Sequence, residues 1–334
     1  MQIIPSTLLL LGILVTGRAG SGMAAVSAMH GSAGDAREGA KSLIPSFMFG
    51  ALARTGSDKH RSRVEDTVSH SFNAVAGGKL TLASAIGDVE VVTSDTNVVT
   101  VEILRRVDAD DKQEAARLLS NLLVETAQQN GNVTVRVRFR RETPDDERRR
   151  IRLRFQVSIP RTYNLDVSTV GFFKAGDLQG NVSAETSGGD ISLGRIQGEV
   201  IAATSGGHVR IEATSGPVKL TTAGGPVSIE NAASAIEAET GGGSFKAHLS
   251  RQPQSNSTIQ TSGGKISLSI EQGVGVELDA LATNGHIVSE YDETAKPKSR
   301  RDSLRTAVNG GGPVLVLRSE GGSIYLGKRS PEGE

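Results

Sequence analysis

The sequence has no cysteine and no tryptophan, and only three tyrosines and eight phenylalanines among 334 residues. The lack of cysteine excludes disulfides and thiolate metal sites and leaves the cellular compartment open. Few aromatic rings beside forty glycines fit a repetitive β architecture better than a ligand-pocket enzyme. Neither sign of charge dominates. The 37 basic and 37 acidic residues cancel, so no global field draws the chain toward nucleic acid. Long apolar runs are scarce too. Ile3–Val15 is too short to span a membrane comfortably.

That run has the length of an export-signal core. Small residues follow it, and Ala19 or Val26–Ala28 offers a cleavage point, although no Lys or Arg precedes it. The expectation is a signal peptide over 1–28 and an exported protein, periplasmic, cell-surface or secreted. Membrane attachment would require that segment to stay uncleaved. Residues 29–69 are rich in Gly, Ala, Ser and charge without a sustained period, and read as a flexible linker.

What the chain does have is a repeat. Phe173, Val182, Ile191, Val200, Val209, Val218, Val227, Ile236 and Phe245 stand nine residues apart. Two residues after each comes a small or apolar partner, from Ala175 to Ala247. Two residues before each comes a turn glycine: Gly171, Gly180, Gly189, Gly198, Gly207, Gly216, Gly225 and Gly243, with Ser234 the one break. Thr186, Thr204, Thr222 and Thr240 recur every eighteen residues, while Arg195, Ala213 and Asn231 hold that place in the intervening halves. Apolar-x-apolar alternation buries one face of each short strand. The glycine supplies either a positive φ or room for close backbone approach. The fold class that follows is all-β: a parallel β-solenoid of eighteen-residue turns, each of two nine-residue halves.

A glycine-rich nonapeptide also suggests a calcium-binding roll, which needs a ladder of aspartates. The position after the glycine runs Asp190, Glu199, His208, Pro217, Pro226, Ala235, Ser244, and prolines and a histidine cannot form one.

Around the array, residues 70–160 read as N-terminal strands with one packing or capping helix near 109–124. Ala115, Leu118, Leu119, Leu122 and Leu123 fall on one helical face. The solenoid spans 161–328, interrupted by a polar loop at 250–258 and a charged excursion at 289–307 that holds Arg300 and Arg301. Val314-x-Val316 and Ile324-x-Leu326 would form the closing coil, with a disordered tail at 329–334.

Two alternating strands place Val133, Val135 and Val137, then Ile151, Leu153 and Phe155, on one side. If they pair, Arg136, Arg138, Arg140, Arg150, Arg152 and Arg154 form a ribbon, an anion-binding face for polysaccharide, lipid headgroup or nucleic acid. A solvated face neutralised by Glu142, Asp145, Asp146 and Glu147 is the plainer alternative. Nucleic acid is disfavoured, because no aromatics interleave for base stacking.

Several motifs carry a resemblance. They are Gly87-Asp88-Val89, the strand ending Val157-Ser158-Ile159-Pro160, the Thr186–Ile191 unit, and Asn309-Gly310-Gly311-Gly312 before the last strands. Over roughly residues 70–328 the chain resembles the bacterial putative-adhesin family of β-strand-repeat proteins, whose biochemical function is unknown. The resemblance implies the solenoid fold and supplies no catalytic, cofactor or metal-binding residue to carry over. The excursion at 289–307 departs from its regular pattern.

Three functions are compatible. A non-catalytic exported binding or surface-structural protein would present a regular face to an extended partner, polysaccharide or another envelope protein. Ser192, Arg210, Lys219, Ser228 and Lys246 are its outward positions. A second reading is an envelope-stress or regulatory scaffold. A carbohydrate-active enzyme needs converging carboxylates. Asp190 and Glu199 fall on successive halves, and His208, His248 and His286 have no fixed carboxylate spacing, so neither acid–base nor Ser-His-Asp chemistry is indicated. No cofactor is implied, and the oligomeric state is not encoded legibly.

Overall fold

The computed structural model describes residues 62–291 and 302–329. The signal peptide, most of the linker, Arg300, Arg301 and residues 330–334 of the expected tail lie outside the described residues, while Arg329, expected in that tail, ends the last strand.

Strands β1 (Ser62–Asn73), β2 (Lys79–Ser84), β3 (Asp88–Ser94) and β4 (Val98–Ala109) come first. Helix α1 (Lys112–Ser120) leads to β5 (Leu122–Gln129) and β6 (Asn132–Phe139), and the single turn α2 (Asp145–Arg148) to β7 (Ile151–Pro160). The repeat then supplies β8 (Asn164–Thr169), β9 (Phe173–Ala175), β10 (Val182–Thr186), β11 (Ile191–Ile196), β12 (Val200–Thr204), β13 (Val209–Thr214) and β14 (Val218–Thr222). It continues with β15 (Val227–Ala232), β16 (Ile236–Thr240), β17 (Phe245–Leu249), β18 (Ser257–Thr261), β19 (Ile266–Glu271), β20 (Val276–Ala282) and β21 (Ile287–Ser289). Strands β22 (Ser303–Val308), β23 (Val314–Ser319) and β24 (Ile324–Arg329) close the chain.

These strands build two twelve-stranded sheets. The front sheet runs β1-β4-β7-β3-β9-β11-β13-β15-β17-β19-β24-β21, and the back sheet β22-β20-β23-β18-β16-β14-β12-β10-β8-β2-β6-β5. From β8 to β19 the chain alternates between them, and each strand from β8 to β17 pairs in parallel with the strand one turn on: Val182↔Val200, Val200↔Val218, Ile191↔Val209. The alternating apolar residues all point into one continuous core, with Phe173, Ile191, Val209 and Phe245 fully buried. Each inward Val, Ile or Phe contributes roughly 1.5–3 kcal/mol through burial.

The two corners differ, and that accounts for the eighteen-residue period. Back-sheet strands end on the threonine column. Thr186, Thr204, Thr222 and Thr240 are buried, yet their hydroxyls are satisfied by the corner itself. Thr186 Oγ1 donates to the Gly189 carbonyl at 2.7 Å, and Thr204 and Thr222 Oγ1 accept from the Gly207 and Gly225 N–H groups, each at 3.1 Å. The column glycines lie outside the positive-φ region. Close stacking is what demands them: a Cβ on Gly207 or Gly225 would lie under 3.0 Å from backbone atoms of the glycine one turn below. The same overlap holds at Gly171, Gly189, Gly198, Gly216 and Gly243, and at Gly180 the backbone met is that of Tyr163.

The next position carries its own ladder. Asn181 Oδ1 accepts from the Glu199 N–H at 2.9 Å, and Asp190 Oδ1 from the His208 N–H at 2.7 Å. Above Glu199 and His208, which lack that short acceptor, sit Pro217 and Pro226. Proline has no N–H to satisfy.

Four expectations are corrected. The helix is shorter than 109–124. Asp111 caps it by accepting from the Glu114 N–H at 2.8 Å, Asn121 ends it, and Leu122 and Leu123 belong to β5. Ala115 and Leu118 are buried, so α1 packs into the core as it carries the chain from front to back sheet. The linker does not reach residue 69, because β1 begins at Ser62 and pairs along its length with β4. The excursion is not wholly an interruption of the solenoid, since its residues Ser303–Ala307 belong to β22, which pairs antiparallel with β20 and extends the back sheet. Finally, β23 and β24 are not the closing coil. They fill the slot between β18/β19 and β20/β21. At the other end β6/β7 likewise lie beyond β2/β3.

Candidate functional site

The arginines expected to form one ribbon are divided between opposite faces. Arg136 and Arg138 lie on β6 and Arg140 just past it, in the back sheet. Arg152 and Arg154 lie on β7 and Arg150 just before it, in the front sheet. Both strands alternate as the sequence suggests, but β6 pairs with β2 and β5, whereas β7 pairs with β3 and β4. Alternation separates inside from outside. It does not say which sheet a strand joins.

Four of the six have local work. Arg138 pairs with Glu125 at 2.6 Å, and Arg140 Nε donates to the Ser120 carbonyl at 3.0 Å. Arg150 ties α1 to β4 and β7, donating to the Asp108 carbonyl at 2.7 Å and to Glu114 at 2.8 Å. That guanidinium, helped by the Asp110 N–H, lowers the Glu114 carboxyl to about 2. The Arg154 guanidinium lies 5.9 Å from the Phe172 ring centre. Arg136 and Arg152 are exposed.

A second cluster was not expected from spacing. His248, on the outward side of β17, is buried. Its Nδ1 lies 3.1 Å from Ser269 Oγ and its Nε2 2.9 Å from Glu271 Oε2. With hydrogen on Nε2 the imidazole donates to the carboxylate and accepts from the hydroxyl, the polarity a general base requires. An acyl-transfer site also needs donors aimed at a developing oxyanion. Ser269 sits mid-strand in β19, flanked in register by β17 and β24, so the nearby N–H groups belong to sheet ladders. The cluster acts as a buried polar tie between neighbouring coils.

The larger surfaces are the outer sheet faces. Open grooves of about 220 Å³ beside Lys79, Asp166 and Ile201, and about 380 Å³ beside Arg195, Asn231 and Arg251, are shallow features of those faces. The outward residues of the back face mix charges, with Lys219 on Glu237 at 2.7 Å and Lys79 on Asp166 at 3.9 Å. Among the described residues, no group of three or more His, Cys, Asp or Glu side chains is placed to hold a metal ion. Nor is any helix there long and apolar enough to cross a membrane.

Similar solved structures include a putative adhesin from Bacteroides fragilis NCTC 9343. It is 11% identical, with 79% of this chain and 97% of that one covered and a TM-score of 0.40. A putative adhesin from Parabacteroides merdae ATCC 43184 is 13% identical, with 78% and 95% covered and a TM-score of 0.35. A putative lipid binding protein from Parabacteroides distasonis ATCC 8503 is 10% identical, with 79% and 97% covered and a TM-score of 0.34. No curated protein matches the sequence. The Toastrack DUF4097 profile matches residues 78–322, a span from the first coil to the last corner, and the chain belongs to that family.

Proposed function

We propose that this is a non-catalytic, exported binding or surface-structural protein that presents a regular solenoid face to an extended partner, polysaccharide or another envelope protein. One observation carries the reading. Outward side chains on successive coils stand in register over long parallel sheets, as in Ser192↔Arg210 and Lys219↔Glu237. Such a surface matches a long, repetitive ligand better than a small molecule, which needs a concave site that encloses it. Export is supported by the Ile3–Val15 run.

The test uses the full chain. A glycan array and a pull-down from envelope extract should retain one class of extended partner. Retention of neither sinks the binding reading, and retention of one defined protein favours a regulatory scaffold. Fractionation with sequencing of the mature N-terminus should find the protein outside the cytosol and trimmed near residue 28. An intact cytosolic chain beginning at Met1 would refute export.

A further inference from the structure

One outward row of the front sheet carries cations at a regular spacing. Strand register brings Lys174, Ser192, Arg210, Ser228, Lys246, Ser267 and Tyr325 side by side. From Lys174 to Tyr325 long and short side chains alternate, with Glu90 next in register beyond Lys174. Lys174, Arg210 and Lys246 are thirty-six residues apart, two full turns, with serine between them. Neighbouring strands stand about 4.8 Å apart, so the cations recur about every 9.6 Å. Tyr325 takes the next long position and is 41% exposed, its ring meeting His286 edge-on at 6.3 Å.

We propose that this row binds a linear acidic polysaccharide in which a charged sugar alternates with a neutral one. The proposal rests on the reading of the protein as a binder of an extended partner, and names the face and the ligand class. An extended two-sugar repeat has a length comparable to two coils, which sets one carboxylate against each cation. The intervening serine hydroxyls both donate and accept, as sugar hydroxyls require. Tyr325 offers an exposed ring for the apolar face of a terminal sugar. Nucleic acid strands fit poorly, because their charges are more closely spaced and the row has one aromatic ring for stacking.

Two of the cations already have carboxylate partners. Lys174 lies 3.1 Å from Glu90, and Arg210 pairs with Glu230. Both cations are more than half exposed. Exposed pairs of this kind contribute little stability, so a polymer carboxylate can replace them. The back-face row Asp166, Ser183, Ile201, Lys219, Glu237 mixes both signs along its length, whereas on the front row an acid, Glu90, stands only beyond the first cation and none lies between Lys174 and Tyr325.

The experiment measures binding of the full chain to hyaluronan, acidic at every second sugar, and to polygalacturonate, acidic at every sugar, by titration calorimetry. Hyaluronan should bind more tightly. The triple change Lys174→Ser, Arg210→Ser, Lys246→Ser should weaken it at least ten-fold. The paired change Arg210→Ser with Ser228→Arg keeps the net charge and breaks the alternation. It should weaken hyaluronan several-fold while leaving far-UV circular dichroism unchanged. Equal binding by the paired variant, binding indifferent to the triple change, or no binding to hyaluronan each overturns the proposal. The broader binding reading is judged separately, by the glycan array and the envelope pull-down.

Discussion

Gly207 lies directly over Gly189, so close that a Cβ on Gly207 would overlap the Gly189 carbonyl. Gly225 repeats the relation over Gly207. The corner is a column of backbone packed on backbone, with no room for a side chain. Gly207→Val must therefore push two coils apart, and should cost upwards of about 3 kcal/mol, at or above the usual range for overpacking. Arg210→Val points outward from the same coil and should cost less than about 1 kcal/mol. Urea denaturation compares them. Equal losses would mean that inside and outside are misassigned.

Thr204→Val keeps the shape and removes the acceptor of the Gly207 N–H. A buried donor left without a partner costs roughly 1–3 kcal/mol. Thr221→Val, at an exposed position, should change stability by no more than about 0.5 kcal/mol. If Thr204→Val is equally silent, the threonine column is not what satisfies the corner.

The Glu114–Arg150 contact predicts an acid-side effect of definite sign. The folded-state pKa of Glu114 is lowered to about 2, first by the Arg150 hydrogen bond. A depressed carboxylate adds stability above its unfolded pKa and loses it as pH falls through the folded value. Wild type should lose its advantage over Glu114→Gln between roughly pH 4.5 and 2. Denaturant midpoints for both proteins across that window decide it. A gap that stays constant with pH would show that the contact does not survive in solution.

Ending the chain after Gly310 removes β23 and β24 from inside the stack, not from its end. Strands β18 and β19 then face an open slot, as do β20 and β21. The shortened protein should lose cooperative unfolding and amide protection across β18–β21. A peptide covering 311–329, added in trans, should restore both. Unchanged cooperativity on truncation would show that the slot closes without them.

The repeat was legible because every coil applies the same two local rules: an inward apolar pair and a glycine where backbone stacks on backbone. Ser192, Arg210, Ser228 and Lys246 could be assigned outward from alternation alone. The ends were not legible. Nothing local in Ile324–Leu326 says that β24 sits between β19 and β21, because that order is a property of the whole stack. For the same reason Tyr325 could not be placed in line with Lys246. The 250–258 loop breaks the count, and only the register of β24 with β19 restores it. The β6 and β7 arginines failed through the same ambiguity, two strands with equal alternation in different sheets. Strand β1 was missed because its apolar positions Val64 and Val68 are only half-buried and its outer face is charged.

The non-sequential ends also say how such a molecule can vary in length. Both termini of the array are locked by strands that fold back among their neighbours, with antiparallel β1 and β5 at one end and β22 at the other. A duplicated coil added at either end would find its place already occupied. The middle, from β10 to β17, has no such lock, and one eighteen-residue cassette there joins corners of the same kind above and below. The protein is thus a ruler adjustable only at its centre. Each inserted cassette would lengthen it by about 4.8 Å and move every cation beyond the insertion half a step out of phase with those before it.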